Sequence, residues 1–354
     1  MISVILPIYN VAEYLDECLR SVLEQSYSDI EVICVNDCTP DNSMEIVQAW
    51  AERDARVRVV ENAINRGLGG ARNAGLEVAQ GDYIAFVDTD DRIQRNMLAD
   101  MLELMQRNKS DLVFCDLWLL NADGSVVACK PLHDVQLAKC SSWKVADGLQ
   151  PFTNMWPSAW NKLYRREVIT SHRLRFLENI QYEDHLFYYQ YLTVSGGAVS
   201  YLPKPLYFYR HQRSDSITGR ISPRICEIFT VLDLLGDFFG NYFGRQNEQY
   251  QQIYCKLSVR LLWERTRSFT ATDHWTGDYV ELTENYISRA RLYLSRFSRS
   301  QIGRYRDRTI PMRTRILLGP LRYWISCFCR VDKDRKYKYL NLMGVRIIVK
   351  KYCH

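Results

Sequence analysis

Tyr83-Ile84-Ala85-Phe86-Val87-Asp88-Thr89-Asp90-Asp91 is the stretch on which the reading of the fold turns. A short apolar run of strand character ends in three carboxylates within four positions. Adjacent carboxylates repel one another, so this crowding is tolerated only in open solvent or around positive charge. Two readings stand side by side. One is a solvated acidic turn, because Asp is a favoured turn residue. The other is a strand end built to hold a divalent cation against a phosphate.

The pattern on the N-terminal side favours a sheet around that strand. Residues 2–7, 30–35 and 57–60 also read as strands, and 44–52 and 68–79 as helices. Asn10 followed by Glu13 resembles a capping box for a further helix, which carries Val11, Leu15, Cys18, Leu19, Val22 and Leu23 on one face. Strands alternating with helices predict a mainly parallel α/β sheet flanked by helices. Ligands of such sheets bind beyond the carboxyl ends of the strands. Tyr9-Asn10, Asn36-Asp37 and Asp88 to Asp91 are all strand-end residues, so they are expected to share one crevice.

The glycine-rich segment Asn65-Arg66-Gly67-Leu68-Gly69-Gly70-Ala71-Arg72-Asn73-Ala74-Gly75 is not a dinucleotide fingerprint, since the third glycine of Gly-x-Gly-x-x-Gly would fall on Arg72. It also lacks the Gly-Lys-Ser/Thr ending of a phosphate-binding loop. It reads as a glycine turn opening a helix, with Arg66 and Arg72 able to approach anionic oxygens, with small residues packing tightly, or with both together.

Composition bounds the rest. The 354 residues are 47% hydrophobic, enough for a large core, and the formal net charge is +5. Residues 291–354 hold 17 Lys and Arg against 3 Asp and Glu, which leaves −9 on the preceding residues. A basic tail on an acidic body predicts an anionic partner surface. The segment 316–328 mixes Leu, Ile, Trp, Tyr and Arg in the manner of an interfacial stretch, so a membrane surface is preferred over nucleic acid. No apolar run is long enough to span a bilayer and the first residues lack a signal-peptide layout, so the expectation is a cytoplasmic protein, peripheral at the inner face of the membrane. The 11 cysteines form no Cys-x-x-Cys and are read as reduced thiols, several of them in the core; Cys327 and Cys329 do not make a zinc site.

Taken together, these motifs resemble the inverting family 2 glycosyltransferases with the GT-A fold, bacterial surface-polysaccharide type. The resemblance is carried by an ordered set: Val4-Ile5-Leu6-Pro7-Ile8-Tyr9-Asn10, Val35 to Ser43, Asn65 to Leu76, Gly81 to Asp91, and Glu183-Asp184-His185-Leu186-Phe187. It covers roughly residues 1–215 and implies a catalytic domain over 1–219, with a nucleotide-binding half (1–115) and an acceptor half (116–219). A helical region over 220–300 and the basic amphipathic tail over 301–354 would follow.

The resemblance also implies roles. Pro7, Tyr9, Asn10, Asp37, Arg66, Gly69, Arg72 and Asp88 would line the nucleotide site, with Asp37 on the base, most often uracil. Asp88 and Asp90 match the family's Asp-x-Asp and would hold Mn²⁺ or Mg²⁺. Asp91 is either a further ligand or the cap of a helix over 92–107, the cap being preferred. Asp184 matches the general base, with Glu183 structural or acceptor-binding. Trp160, Lys162, Glu183, Arg210 and His211 are the acceptor and diphosphate candidates, each with a packing or solvated-turn alternative. The expected partners are a nucleotide-diphospho-sugar donor, probed first as a UDP-sugar, and a glycan or lipid-linked acceptor, with no nucleic acid and oligomerisation left open. Gln301-Ile302-Gly303-Arg304-Tyr305 is a chance match to the Gln-x-x-Arg-Trp of processive synthases. The alternatives are a metal-dependent nucleotidyltransferase, which would normally bring a glycine- and lysine-bearing phosphate loop near its N-terminus, and a non-catalytic basic binding protein that retains a transferase-like domain.

Overall fold

Successive side chains of a strand point to opposite faces of its sheet, and this period of two divides β1 (Ile2–Ile8) cleanly. Val4, Leu6 and Ile8 face one hydrophobic core with Leu15, Leu19 and Val22 of α1 (Ala12–Leu23). Ile5 points the other way, against Gly75 of α3 (Gly67–Val78), where an added Cβ would lie 2.5 Å from its methyl. The computed structural model describes residues 1–121, 124–129, 142–144, 155–210, 222–270, 277–297, 331–334, 337–342 and 345–351.

The chain divides into two compact units, residues 1–220 and 221–354. In the first, β1 is flanked by β2 (Ile30–Asn36) and β4 (Tyr83–Phe86), and β3 (Val57–Glu61) lies outside β2, all parallel. The remaining helix between these strands is α2 (Ser43–Ala51). The sheet then changes character. Next to β4 comes β9 (Lys162–Arg165), antiparallel to it and to β6 (Ser110–Leu120). The long β10 (Ala198–Arg210) runs parallel to β6 and pairs antiparallel with the short β5 (Arg92–Ile93). Two short strands, β7 (Val126–Cys129) and β8 (Ser142–Lys144), extend β6 and β10. Three helices complete the unit: α4 (Met97–Asn108), α5 (Arg166–Ser171) and α6 (Glu183–Val194).

Two local expectations change. Asn10 does not cap α1: it adopts a left-handed φ of 55°, and the Ala12 N–H donates instead to Asp41 Oδ2 at 2.9 Å. The predicted helix over 92–107 begins only at Met97, because Arg92 and Ile93 pair with Phe208 and Tyr207 and Gln94 N donates to Leu206 O. Asp91 therefore precedes a strand and caps nothing. Sheet pairing with a segment more than 100 residues away overrides the local helical period.

The second unit contains a 3₁₀ turn at Pro223–Cys226, the helices α7 (Glu227–Phe243), α8 (Glu248–Thr270) and α9 (Gly277–Leu294), and a three-stranded antiparallel sheet of β11 (Val331–Asp334), β12 (Tyr337–Leu342) and β13 (Val345–Lys351). Tyrosine hydroxyls tie the helices: Tyr254 donates to Leu232 O and Tyr286 to Leu262 O, both at 2.9 Å. Among the described residues no helix is long and apolar enough to cross a membrane. The stretch 316–328 and the residues 301–305 lie outside the described residues.

Candidate active site

The carboxyl ends of β1, β2 and β4 are stitched together by short polar contacts. Asp37 N donates to Ile8 O at 3.1 Å, and Thr89 Oγ1 donates to Pro7 O at 2.7 Å. Pro7 is buried, whereas Tyr9 is 51% exposed and stands at the rim with Asn10, whose N–H bonds Thr39 Oγ1. Asp37 is buried, and its Oδ1 accepts from Asn62 Nδ2 at 2.7 Å and from the Arg66 N–H at 2.9 Å. This fixes the turn that opens α3.

Arg66 itself turns to Glu178, with two nitrogens on its carboxylate. Gly69 is present for close approach: an added Cβ would sit 1.9 Å from the Leu177 carbonyl oxygen. Of the two readings of this segment, tight packing is therefore the one its glycine serves, holding α3 against the chain that leads to α6.

Arg72 occupies the middle of the site. It is 1% exposed, and its guanidinium donates to Asp88 Oδ1 at 2.8 Å and to Glu183 Oε1 at 2.7 Å. Burial favours the neutral guanidinium, yet the carboxylates of Asp88, Glu183 and Asp184 outweigh it and keep Arg72 firmly charged. One buried cation thus spans the acidic turn after β4 and the first residue of α6. It is a bridge between carboxylates, not the open anion contact expected of it.

The two acids at the start of α6 are driven apart. Glu183 is buried, and burial together with Asp184 raises its pKa in spite of Arg72. Asp184 keeps 22% of its side chain exposed and accepts or shares a hydrogen bond with His185 Nδ1 at 2.8 Å. Burial pushes Asp184 up, but His185, Arg72 and Lys162 more than compensate and hold it below its ordinary value. The result is an ionised, partly exposed carboxylate beside a shielded one, the division of roles that general-base chemistry needs. Tyr182, directly before α6, is held at φ 66°. Such left-handed strain in a bulky residue clusters at functional sites.

Of the acceptor and diphosphate candidates, Trp160 and Lys162 take their packing alternative. Trp160 is 8% exposed and sandwiched between Tyr207 and Tyr209, with ring centroids 4.8 and 4.9 Å away. Its faces are taken, so it supports the site without stacking on a sugar. Lys162 is 1% exposed and donates to Trp156 O, Ser158 Oγ and Asn161 Oδ1 at 2.9–3.1 Å. Burial pushes its pKa down to about 7, although Asp184 acts in the opposite sense. It is a buried tie and touches no open surface. Arg210 sits over the Tyr14 ring and bonds Asp90 O at 2.8 Å and Glu17 Oε2 at 2.9 Å, which brings it to the acidic turn. His211 lies outside the described residues.

Residues 3–126 match the sequence profile of glycosyl transferase family 2. An uncharacterized glycosyltransferase of Haemophilus influenzae is 34% identical over 223 residues, 63% of this chain and 81% of that protein. The chain belongs to glycosyltransferase family 2. The uncharacterized glycosyltransferase EpsJ of Bacillus subtilis is 36% identical over 219 residues; the match spans 62% of this chain and 63% of EpsJ, a little under two thirds of that relative's length. Staphylococcus aureus TarS 1-349, solved in complex with UDP-GlcNAc, superimposes with a TM-score of 0.67 at 22% identity, covering 90% of this chain and 86% of that one. The fold is thus the GT-A glycosyltransferase fold, with a curled, mixed α/β sheet.

Seen as a family 2 site, two residues stand out that the motifs did not announce: Glu178 holds Arg66, and the Tyr207 hydroxyl reaches the acidic turn. Each is recruited from a distant strand or loop. His185, inside the Glu183–Phe187 motif but given no role there, holds Asp184.

Proposed function

We propose that the protein is a metal-dependent inverting glycosyltransferase that moves a sugar from a nucleotide-diphosphate donor to a hydroxyl of a glycan or lipid-linked acceptor in bacterial surface-polysaccharide synthesis. The observation that carries this reading is the Arg72 bridge, which brings Asp88 of the donor-side turn and Glu183, next to Asp184, within reach of one guanidinium. Displacement at an anomeric carbon needs both together: a leaving group on one side and a base for the incoming hydroxyl on the other.

Asp184 accepts the acceptor's hydroxyl proton as its oxygen attacks the face opposite the departing diphosphate, inverting the anomeric configuration. Glu183, shielded and tied to Arg72, fixes the start of α6. Asp37 and the β1 rim at Pro7, Tyr9 and Asn10 form the nucleotide side, and the TarS complex with UDP-GlcNAc supports uridine as the base to test first.

The acidic turn fits a divalent cation by its chemistry. Its donors are hard oxygens, and the charges of Asp88 and Asp90 add to burial in raising the pKa of Asp91 above its ordinary value, so negative charge is crowded there. Among the described residues no set of three His, Cys, Asp or Glu could hold a metal ion unaided. Asp88 and Asp90 would therefore hold Mn²⁺ or Mg²⁺ jointly with the donor. When bound, the cation offsets charge on the diphosphate leaving group. The basic tail supports placement at the cytoplasmic face of the membrane, where lipid-linked acceptors are met.

Calorimetric titration of UDP, GDP, CDP and ADP with and without Mn²⁺ tests this reading. Manganese-dependent binding of one nucleotide, UDP by expectation, and its loss in Asp90→Ala support it. No binding of any of the four overturns it.

A further inference from the structure

The acidic turn is gripped from two sides. On the β1 side Thr89 Oγ1 donates to the Pro7 carbonyl oxygen at 2.7 Å. On the β10 side a single phenol does two things at once: Tyr207 Oη donates to Asp91 Oδ2 at 2.7 Å and accepts the Asp88 backbone N–H at 3.1 Å. Three residues further along the strand, the Arg210 N–H donates to Asp91 Oδ1 at 2.7 Å, and Arg210 Nε donates to the Asp90 carbonyl at 2.8 Å. Both oxygens of Asp91 are engaged in this way, and the residue is 2% exposed. Asp91 points into the protein.

The phenol is itself held still. Tyr207 is fully buried, and its ring stacks on Trp160 at 4.8 Å with 19° between planes. Its hydroxyl joins the first residue of the turn to the fourth, across the same span that Asp91 N closes by donating to Asp88 O at 3.0 Å. Asp88 and Asp90 repel one another, and a fixed brace across the turn holds their donor atoms in place before a cation arrives.

We infer that Tyr207 is a positioning residue for the Asp88–Asp91 turn, and that Asp91 is the anchor it grips and not a ligand of the cation. This rests on the reading of Asp88 and Asp90 as the cation-holding pair. Without the hydroxyl, the Asp88 N–H and Asp91 Oδ2 lose a partner while the aromatic stack survives, so the turn loosens but the core does not. The effect belongs to cation binding and not to folding.

The experiment uses the full chain as wild type, Tyr207→Phe, Asp91→Asn and Asp90→Ala. UDP binding is followed by calorimetry across a Mn²⁺ series and in EDTA, with thermal melting alongside. The Mn²⁺ concentration for half-maximal UDP binding is expected to rise about tenfold in Tyr207→Phe, roughly the worth of one buried hydrogen bond. UDP affinity in EDTA should change less than about twofold, the margin by which a purely structural defect would be told apart. Asp91→Asn keeps one acceptor oxygen and should show a smaller shift in the same direction; if Tyr207→Phe does not fold, this variant decides. An unchanged Mn²⁺ requirement, equal losses with and without metal, or an Asp91→Asn as unresponsive to Mn²⁺ as Asp90→Ala each overturns the inference. A wild type that binds UDP with no Mn²⁺ response overturns the cation reading beneath it, and the inference with it.

Discussion

The parallel half of the sheet and its antiparallel half place their candidate groups differently. At the ends of β1, β2 and β4 some of them reach solvent, Tyr9 at 51% exposure and the Asp88 side chain at 20%, above a base of buried Pro7 and Asp37. In the half built by β9, β10 and α6 they are drawn inside: Lys162 at 1%, Glu183 at 7% and Trp160 at 8% exposure. The difference follows from topology. Parallel strands with helical crossovers deliver every carboxyl end to one edge, where loops project freely. Antiparallel neighbours lay side chains against one another, and their polar groups survive only with partners. The first half therefore presents a binding rim, and the second a stiff platform from which Asp184 emerges.

The sharpest way to break this comparison is at Asp184. Asp184→Asn is expected to lower kcat by about 10²–10⁴ while leaving UDP affinity within about twofold of wild type, by removing a general base from the platform and nothing from the rim. Because burial is outweighed by His185, Arg72 and Lys162, the folded pKa lies below the ordinary aspartate value. The Asp184 contribution to a pH–rate profile is accordingly flat through neutrality and falls only in acid. Full transfer by Asp184→Asn in an assay with the donor established by calorimetry would remove Asp184 from the mechanism.

The next largest effect lies at the seam. Arg72→Met leaves Asp88 and Glu183 facing each other without their shared cation, and breaking a buried pair of this kind destabilises by about 3–5 kcal/mol. Denaturant unfolding measures it, and a second change, Glu183→Gln, should recover part of the loss. A loss below ~1 kcal/mol would show that the two halves are joined by something other than this bridge.

The smallest effect probes the platform. Lys162 has its pKa pushed from 10.5 to about 7 by burial. The unfolded chain then binds more protons than the folded one between those values, so stability from this residue rises with pH across that window and is level below it. Relative to Lys162→Met, the wild type should gain at least ~4 °C in Tm from pH 7 to pH 10. A pH-independent difference would mean that Lys162 keeps its proton inside the fold.

Much of the rim was legible because its signals are local. The strand expected over 83–87 is observed as Tyr83–Phe86, and the helix expected over 68–79 as Gly67–Val78. Asp37, Asp88 and Asp90 could be singled out because they stand at strand ends, where such sheets gather ligands, and within motifs of the family resemblance. The platform was far less legible. Trp160 and Lys162 are as suited to gripping a sugar as to filling a core, and the choice depended on Tyr207, Tyr209 and Ser158 closing around them. The helix start expected at Arg92 failed for a similar reason, since β10 claims Arg92 and Ile93 from outside the local window.

By itself the sequence determined the alternation of strands and helices, the edge at which ligands gather and the acids that could serve there, since periodicity and strand ends are written within a few neighbouring residues. Only the tertiary structure decided which charges are spent on one another. Arg72 and Glu183 meet across 111 positions and Tyr207 reaches Asp91 across 116, and whether a charged side chain faces solvent or another charge depends on such distant partners. Desolvation makes that pairing obligatory once the groups are buried, and no local pattern records which partner the fold will supply.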